Sequence, residues 1–415
     1  MANTLELGNG KWATGKDTVL AFNDENNNFK PLPFSFSRAS SGTIVNKDGL
    51  IETVGVGEPR IDFKDNTKGT LLLEPSRSNL VTYSEDFSNG VWNIGGATTI
   101  ILDNLLSPDG EQSSYKQVEN NTINSFSTRY STSISYTSGL KYTTSIFAKS
   151  DNRNLMIRSY NGSSDIDTIF DLSNGTILSG STGEIKDYGN GWYRCSHTIT
   201  AQSTINTVYS ASFVLANGSS YSYQGDGTSG VYIWGAQLEQ GSYATSYIPT
   251  FGSAVTRVKD TCYNDNLANV IGQTEGTFYL ETVPLNSLTS YTERVIQFES
   301  SGSGFMTIQR YANDNITFYG TNGSNNWSIQ GTGLFVGGQT IKIAGAYKDN
   351  DITLYVNGIQ IGTNTTANAP QTEKLRFANN TSGSLGYLGS HKDVKLYNTR
   401  LSNSELQALT TISQE

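Results

Sequence analysis

Two clusters in the 415-residue chain set aromatic rings beside amides and carboxylates. Sugar recognition asks for that combination, because a ring offers a flat apolar plate while amides and carboxylates hydrogen-bond the hydroxyls. The first cluster is the stretch YGTNGSNNW, in which Tyr319, Asn322, Asn325, Asn326 and Trp327 follow Tyr311, Asn313 and Asp314. The second is SSYSYQGDGTSG, with Tyr221, Tyr223 and Asp226. Both are expected on loops. Trp92, Trp192 and Trp234 instead lie in strand-like runs and are assigned to the core.

Catalytic patterns are scarce. The two histidines, His197 and His391, fall in different regions, so a Ser-His-Asp or Cys-His site is not expected. The run Gly10-Lys11-Trp12-Ala13-Thr14-Gly15-Lys16-Asp17 spells a phosphate loop up to its last position. There Asp17 replaces the hydroxyl that should hold Mg²⁺, and it would repel phosphate. Glycoside hydrolysis needs two carboxylates at a defined separation, and no strand with alternating acids announces them. Cys195 and Cys262 stand far apart and offer neither a disulfide framework nor a zinc spacing.

Composition narrows the partners. Charged residues make up 16%, the formal net charge is −9 and the pI is about 4.9. A nucleic-acid binder would need a basic stripe, and an anionic membrane surface would repel this chain. The start, MANTLELGNGKW, carries no basic segment followed by an apolar core, so no secretory signal is expected. Synthesis in a cytosol follows as an expectation. Glycine at 42 and tyrosine at 23, amid abundant Ser, Thr and Asn, point to many short strands joined by tight turns.

The chain therefore reads as all-β: tandem antiparallel β-sandwiches (jelly rolls), a small β-rich region before them and one short helix at the end. Residues 1–80 form the first region, 81–250 a sandwich, 251–269 an ordered strap and 270–415 a second sandwich. Ile352–Ile361 around Asn357-Gly358 is the best hairpin signal in the chain. Ser402-Asn403-Ser404-Glu405 is a capping box that opens the helix. Trp234-Gly235-Ala236-Gln237-Leu238-Glu239 is read as the closing strand of the first sandwich, with Trp234, Ala236 and Leu238 on one face.

Several stretches resemble known families. IKIAGAYKDNDITLYVNGIQI (341–361) with VKLYNTRLSNSELQAL (394–409) resembles the concanavalin A-like (laminin-G-like) jelly roll. NLVTYSEDFSNGVWN (79–93) is similar to the opening of carbohydrate-binding jelly rolls. FSRASSGTIVNKDGLIETVG, PRIDF, LLLEPSRSNL and WGAQLEQGSYATSYIPT look like segments of bacteriophage tail and head-appendage proteins. The resemblance implies a structural calcium ion between first and last strands, at Asp86 and Glu239 (or Glu85 and Gln237). It also implies a virion-surface protein made in the host cytoplasm. Residues 1–80 would attach to other virion proteins or form a homo-oligomer, a trimer being favoured. The sandwiches would bind host-surface glycans without catalysis. A decoration or tail protein that binds no ligand, and a polysaccharide-cleaving enzyme, are the alternatives.

Overall fold

The computed structural model describes residues 3–412 apart from 24–29, 208–209, 286–291, 379–386 and 388. It divides into two units: residues 1–47, 54–75 and 258–415 form one, residues 48–53 and 76–257 the other. The boundaries expected from sequence thus need correction. Residues 1–75 are not an autonomous attachment region, because most of their strands are built into the same sheets as residues 258–415.

In the first unit one layer runs Ile359–Asn364, Ile352–Val356, Ile341–Lys348, Glu275–Pro284 and Gly389–Tyr397, all antiparallel. The free edge of Gly389–Tyr397 is completed from the N-terminal region. Leu5–Gly8 pairs with its later half and Thr70–Leu73 with its earlier half. The other layer runs Thr18–Asn23, Lys30–Ser37, Thr261–Asn264, Lys374–Phe377, Glu293–Glu299, Phe305–Tyr311, Asn315–Thr321 and Asn326–Gly331. The expected strap at 251–269 is therefore in part a sheet strand. Phe278 of the first layer meets Phe298 and Phe318 of the second at 5.3 and 5.2 Å between ring centroids. This is a sandwich with one shared apolar core. The helix Asn403–Thr410 has the expected capping box from Ser402 and Glu405, and Leu406 packs against Ala344, Ala346 and Tyr355.

Three sequence motifs and Asp260 meet in a buried ion network of this unit. Arg38 (of FSRASSG), Arg60 (of PRIDF), Glu74 (of LLLEP) and Asp260 all have side chains almost entirely withdrawn from solvent. Asp260 takes Arg38 at 3.2 Å through one oxygen and Arg60 through the other. Arg60 also holds Glu74 at 2.6 Å. Arg38 donates to the carbonyls of Ser40, Gly55 and Glu58. Burial alone would pull the Arg60 pKa down, but the charges of Asp260 and Glu74 hold it above its ordinary value.

The second unit is a jelly-roll-like sandwich of two six-stranded antiparallel sheets. One runs Trp92–Gly95, Ser127–Tyr130, Ser212–Ala216, Asn154–Tyr160, Asp165–Asp171, Thr176–Ser179. The other runs Thr99–Leu102, Tyr115–Val118, Gly230–Gln240, Lys141–Asp151, Tyr193–Thr200, Gly183–Asp187. Trp92 and Trp192 are buried, each donating its indole N–H to a carbonyl, of Tyr83 and Leu106 respectively. Trp234 is buried too, but not on the face with Ala236 and Leu238. A β-bulge shifts the register there, and Gly235, at φ +63°, supplies the left-handed residue. Trp234 consequently lies against Phe147 and Tyr247, the latter at 4.7 Å between centroids. Tyr247 belongs to the segment that follows, which is pinned to the sheet by Ile248 N–H on Gln237 (2.7 Å) and Thr245 N–H on Glu239 (2.9 Å).

Candidate functional site

The two clusters chosen from sequence have different outcomes. In the second unit Tyr223 is buried, and its hydroxyl donates to Glu119 at 2.5 Å under the guanidinium of Arg153. Asp226 closes its own turn, accepting from the N–H groups of Thr228 and Ser229 and from Arg153. The Ser229 hydroxyl, with the N–H groups of Ser229 and Thr228, holds its pKa below the ordinary carboxylate value. Tyr221 is exposed but packs over Arg158, which is itself paired with Asp167. Tyr223 and Asp226 meet at Arg153 and Glu119, a network closed on itself, and Tyr221 stands apart on Arg158.

The calcium expectation also needs correction. Glu239 is fully buried and receives both the N–H and the hydroxyl of Thr245. Asp86 accepts from the Ser88 N–H and hydroxyl and from the Tyr115 hydroxyl. The substitute ligands are occupied as well, Glu85 by the Tyr247 hydroxyl at 2.8 Å and Gln237 by the Ile248 N–H. Among the described residues no three His, Cys, Asp or Glu side chains gather where a metal could be held. The residues present do not fit the ion.

In the first unit the cluster is partly assembled. Trp327 is the exception: it is 6% exposed and sits edge-on to Phe318 at 4.9 Å. Its parity explains this, since Trp327 and Ile329 alternate with Asn326 and Ser328 and so face the core. Gly320, directly opposite, leaves the room its indole needs. Trp327→Phe should therefore lower stability by about 1.5–2 kcal/mol through the volume lost, while leaving any ligand affinity within about twofold. Denaturant unfolding and titration of the same variant would show it. A loss of affinity with unchanged stability would return Trp327 to the surface.

Tyr319 and Tyr311 do face outward, both half-buried, on neighbouring strands of the second layer. Tyr319 stands beside Phe305, with ring centroids 5.6 Å apart. Asn322 and Asn325 belong to the exposed turn between the paired Thr321 and Asn326, where Asn322 Oδ1 accepts the N–H groups of Ser324 and Asn325. Tyr311 is farther along, near Gln330.

The same face carries residues that sequence reasoning missed. A register shift between Arg294 and Ile296 turns Arg294 onto the side that bears Gln297 and Glu299, while Glu293 points inward to Arg310 at 3.3 Å. Arg294 lies over the Phe305 ring at 4.8 Å and donates to Gln297. Arg376 of the adjoining strand holds Glu299 at 2.8 Å and covers Tyr263 at 4.9 Å. The outer face is thus a row of rings and guanidinium groups with amides between them. That arrangement can hold a sugar by stacking and by hydrogen bonds. The alternation in ERVIQFE and FMTIQRY was the available signal, but the bulge that aims Arg294 has none.

Both histidines are withdrawn from such a role. Burial pulls the pKa of His391 down to about 3 and that of His197 to about 4. Neither exchanges a proton near neutrality.

No curated protein sequence matches the chain. Among solved structures, the Ruminococcus gnavus IT-sialidase CBM40 bound to α2,3-sialyllactose is similar at 16% identity and TM-score 0.32, over 35% of this chain and 86% of that one. The Streptococcus pneumoniae NanB sialidase aligns at 18% identity and TM-score 0.31, over 36% and 26%. A heptameric SAP-like pentraxin from Limulus polyphemus aligns at 12% identity and TM-score 0.29, over 33% and 70%. A family model, described as the Concanavalin A-like lectin/glucanases superfamily, matches residues 276–407, so that part of the chain is a lectin-like β-sandwich.

Proposed function

We propose that this chain is a non-catalytic adhesion protein of a virion surface, a fibre or spike whose lectin-like sandwich binds host-surface glycans. The observation that carries the binding part is the outer sheet face within residues 276–407, where Tyr319, Phe305 and Arg294 stand in a row with amides beside them. The virion part is supported by the appendage-like motifs of residues 36–80 and by the acidic, weakly charged composition. Other virion proteins and further copies of the chain are its expected partners. Display in many copies would raise weak single-site binding by avidity.

The test uses the immobilised full chain and a broad panel of glycans. Binding is expected, and Tyr319→Ala should weaken it about tenfold, a loss of roughly 1.4 kcal/mol, with an unchanged unfolding midpoint. If the full chain binds no glycan yet assembles onto particles, adhesion is wrong and a bracing role replaces it. Turnover of any glycan in the panel would overturn the non-catalytic part.

A further inference from the structure

We infer that the outer face formed by Glu293–Glu299, Phe305–Tyr311 and Asn315–Thr321 takes an acidic sugar, its oxyanion held by the Arg294 guanidinium and its ring laid on Tyr319. This deepens the glycan-binding reading above and rests on it.

Most arginines withdrawn from solvent in this chain are matched to a carboxylate. Arg38, Arg60 and Arg310 each meet a carboxylate, and the partly exposed Arg153, Arg158 and Arg376 do as well. Arg294 departs from these six, as does Arg194, but Arg194 is buried on the Thr245 carbonyl and the Ser145 hydroxyl whereas Arg294 stands partly exposed on an outer sheet face. It is half-buried, yet among the described residues no carboxylate reaches ion-pair distance. Its acceptor is the neutral amide of Gln297, and its Nε is buried with no acceptor. The carboxylate that could have served, Glu299, already accepts from Arg376 and from Gln297 Nε2. Burial accordingly lowers the Arg294 pKa, since desolvation outweighs the distant charges of Glu299 and Tyr319.

An uncompensated guanidinium is costly to hold, and the fold keeps it there through a bulge. Bulges recur where a strand must re-aim a side chain at a functional site. The Phe305 ring under Arg294 steadies the cation without neutralising it. The partly exposed guanidinium presents a planar fork of N–H donors, which matches the oxygens of a carboxylate or sulfate. Tyr319, next to Phe305, offers the plate for the sugar that bears it.

The experiment compares the full chain with Arg294→Gln and Arg294→Lys on glycans bearing sialic acid, uronic acid or sulfate, each beside its neutral parent. The unmodified chain should prefer one acidic class by roughly 10–100-fold, as expected for a charge-assisted, desolvated contact. Arg294→Gln should erase the preference, so that acidic glycans and their neutral parents bind alike. Arg294→Lys, which keeps the charge but not the fork, should retain part of it. Equal binding of acidic and neutral glycans, or a preference that survives Arg294→Gln, would overturn the inference and leave glycan binding standing. Silence across all glycans would remove the glycan-binding reading, and this one with it.

Discussion

Residues 258–415 produced alone should fail to fold cooperatively, although they include the whole lectin-like match at 276–407. The missing N-terminal strands carry Leu5, Leu7, Val19, Ala21, Phe34, Phe36, Leu71 and Leu73, all at 0–2% exposure in the core that residues 258–415 share. At roughly 1.5–3 kcal/mol for each of the larger side chains, their loss removes as much as the 5–15 kcal/mol that typically stabilises a domain. It also leaves the edge of Gly389–Tyr397 without Leu5–Gly8 and Thr70–Leu73, an open strand edge that invites aggregation. Residues 1–75 linked directly to 258–415 should restore folding. The bridge is short, because Glu74 and Asp260 already exchange hydrogen bonds through backbone and side chain, at 2.9 and 3.0 Å. Residues 76–257 should fold alone on their own core. Circular dichroism and denaturant unfolding of the three chains decide it. A cooperative transition of native-like stability for 258–415 by itself would be incompatible with the sheet order found.

Asp260→Ala should cost about 3–5 kcal/mol, far more than a single surface acid. Both its oxygens face guanidinium groups, of Arg38 and Arg60, and none of the three side chains touches solvent. Removing the carboxylate leaves two buried cations without the anion they share. Asp260→Asn should be nearly as damaging, since its amide would present N–H to one of the two cations. The control is Asp265→Ala. Asp265 pairs with Arg376 at 2.8 Å, but its side chain is 41% exposed and Arg376 keeps Glu299. Water screens that pair, so the loss should stay below about 1 kcal/mol. Equal stabilities of the two alanine variants would mean that the network is not what holds these motifs together.

The legible parts of the fold were those written locally. Asn357 and Gly358 take positive φ, 49° and 80°, and turn the hairpin their dipeptide announced. Ser402 and Glu405 cap the helix they were expected to cap. What escaped was long-range pairing. Leu5 meets Leu396 and Leu72 meets Ser390, and no pattern within either segment specifies its partner. The candidate site failed in a different way. Tyr and Trp were treated as equivalent plates, yet strand parity sends Tyr319 out and Trp327 in. Parity in turn fails at a bulge, which is why Trp234 was placed on the wrong face and Arg294 went unnoticed. Arg38, Arg60 and Glu74 lay in quoted motifs, and only their burial with Asp260 shows that the motifs are one ion network.

The interleaving of the two units also fixes an order in time. Residues 76–257 hold all but a few of their unit's residues and can close as soon as they leave the ribosome. Leu71-Leu72-Leu73 cannot, for the strand that receives it begins at Gly389. At roughly 5–20 residues per second, synthesis of the intervening chain takes on the order of tens of seconds. Throughout that wait the three leucines have Ile61–Asp62 along one edge, while the edge meant for Gly389–Tyr397 stays open. The growing chain is thus most vulnerable to association with its own kind before its last strand is made, and slow translation across residues 258–389 would lengthen the exposure.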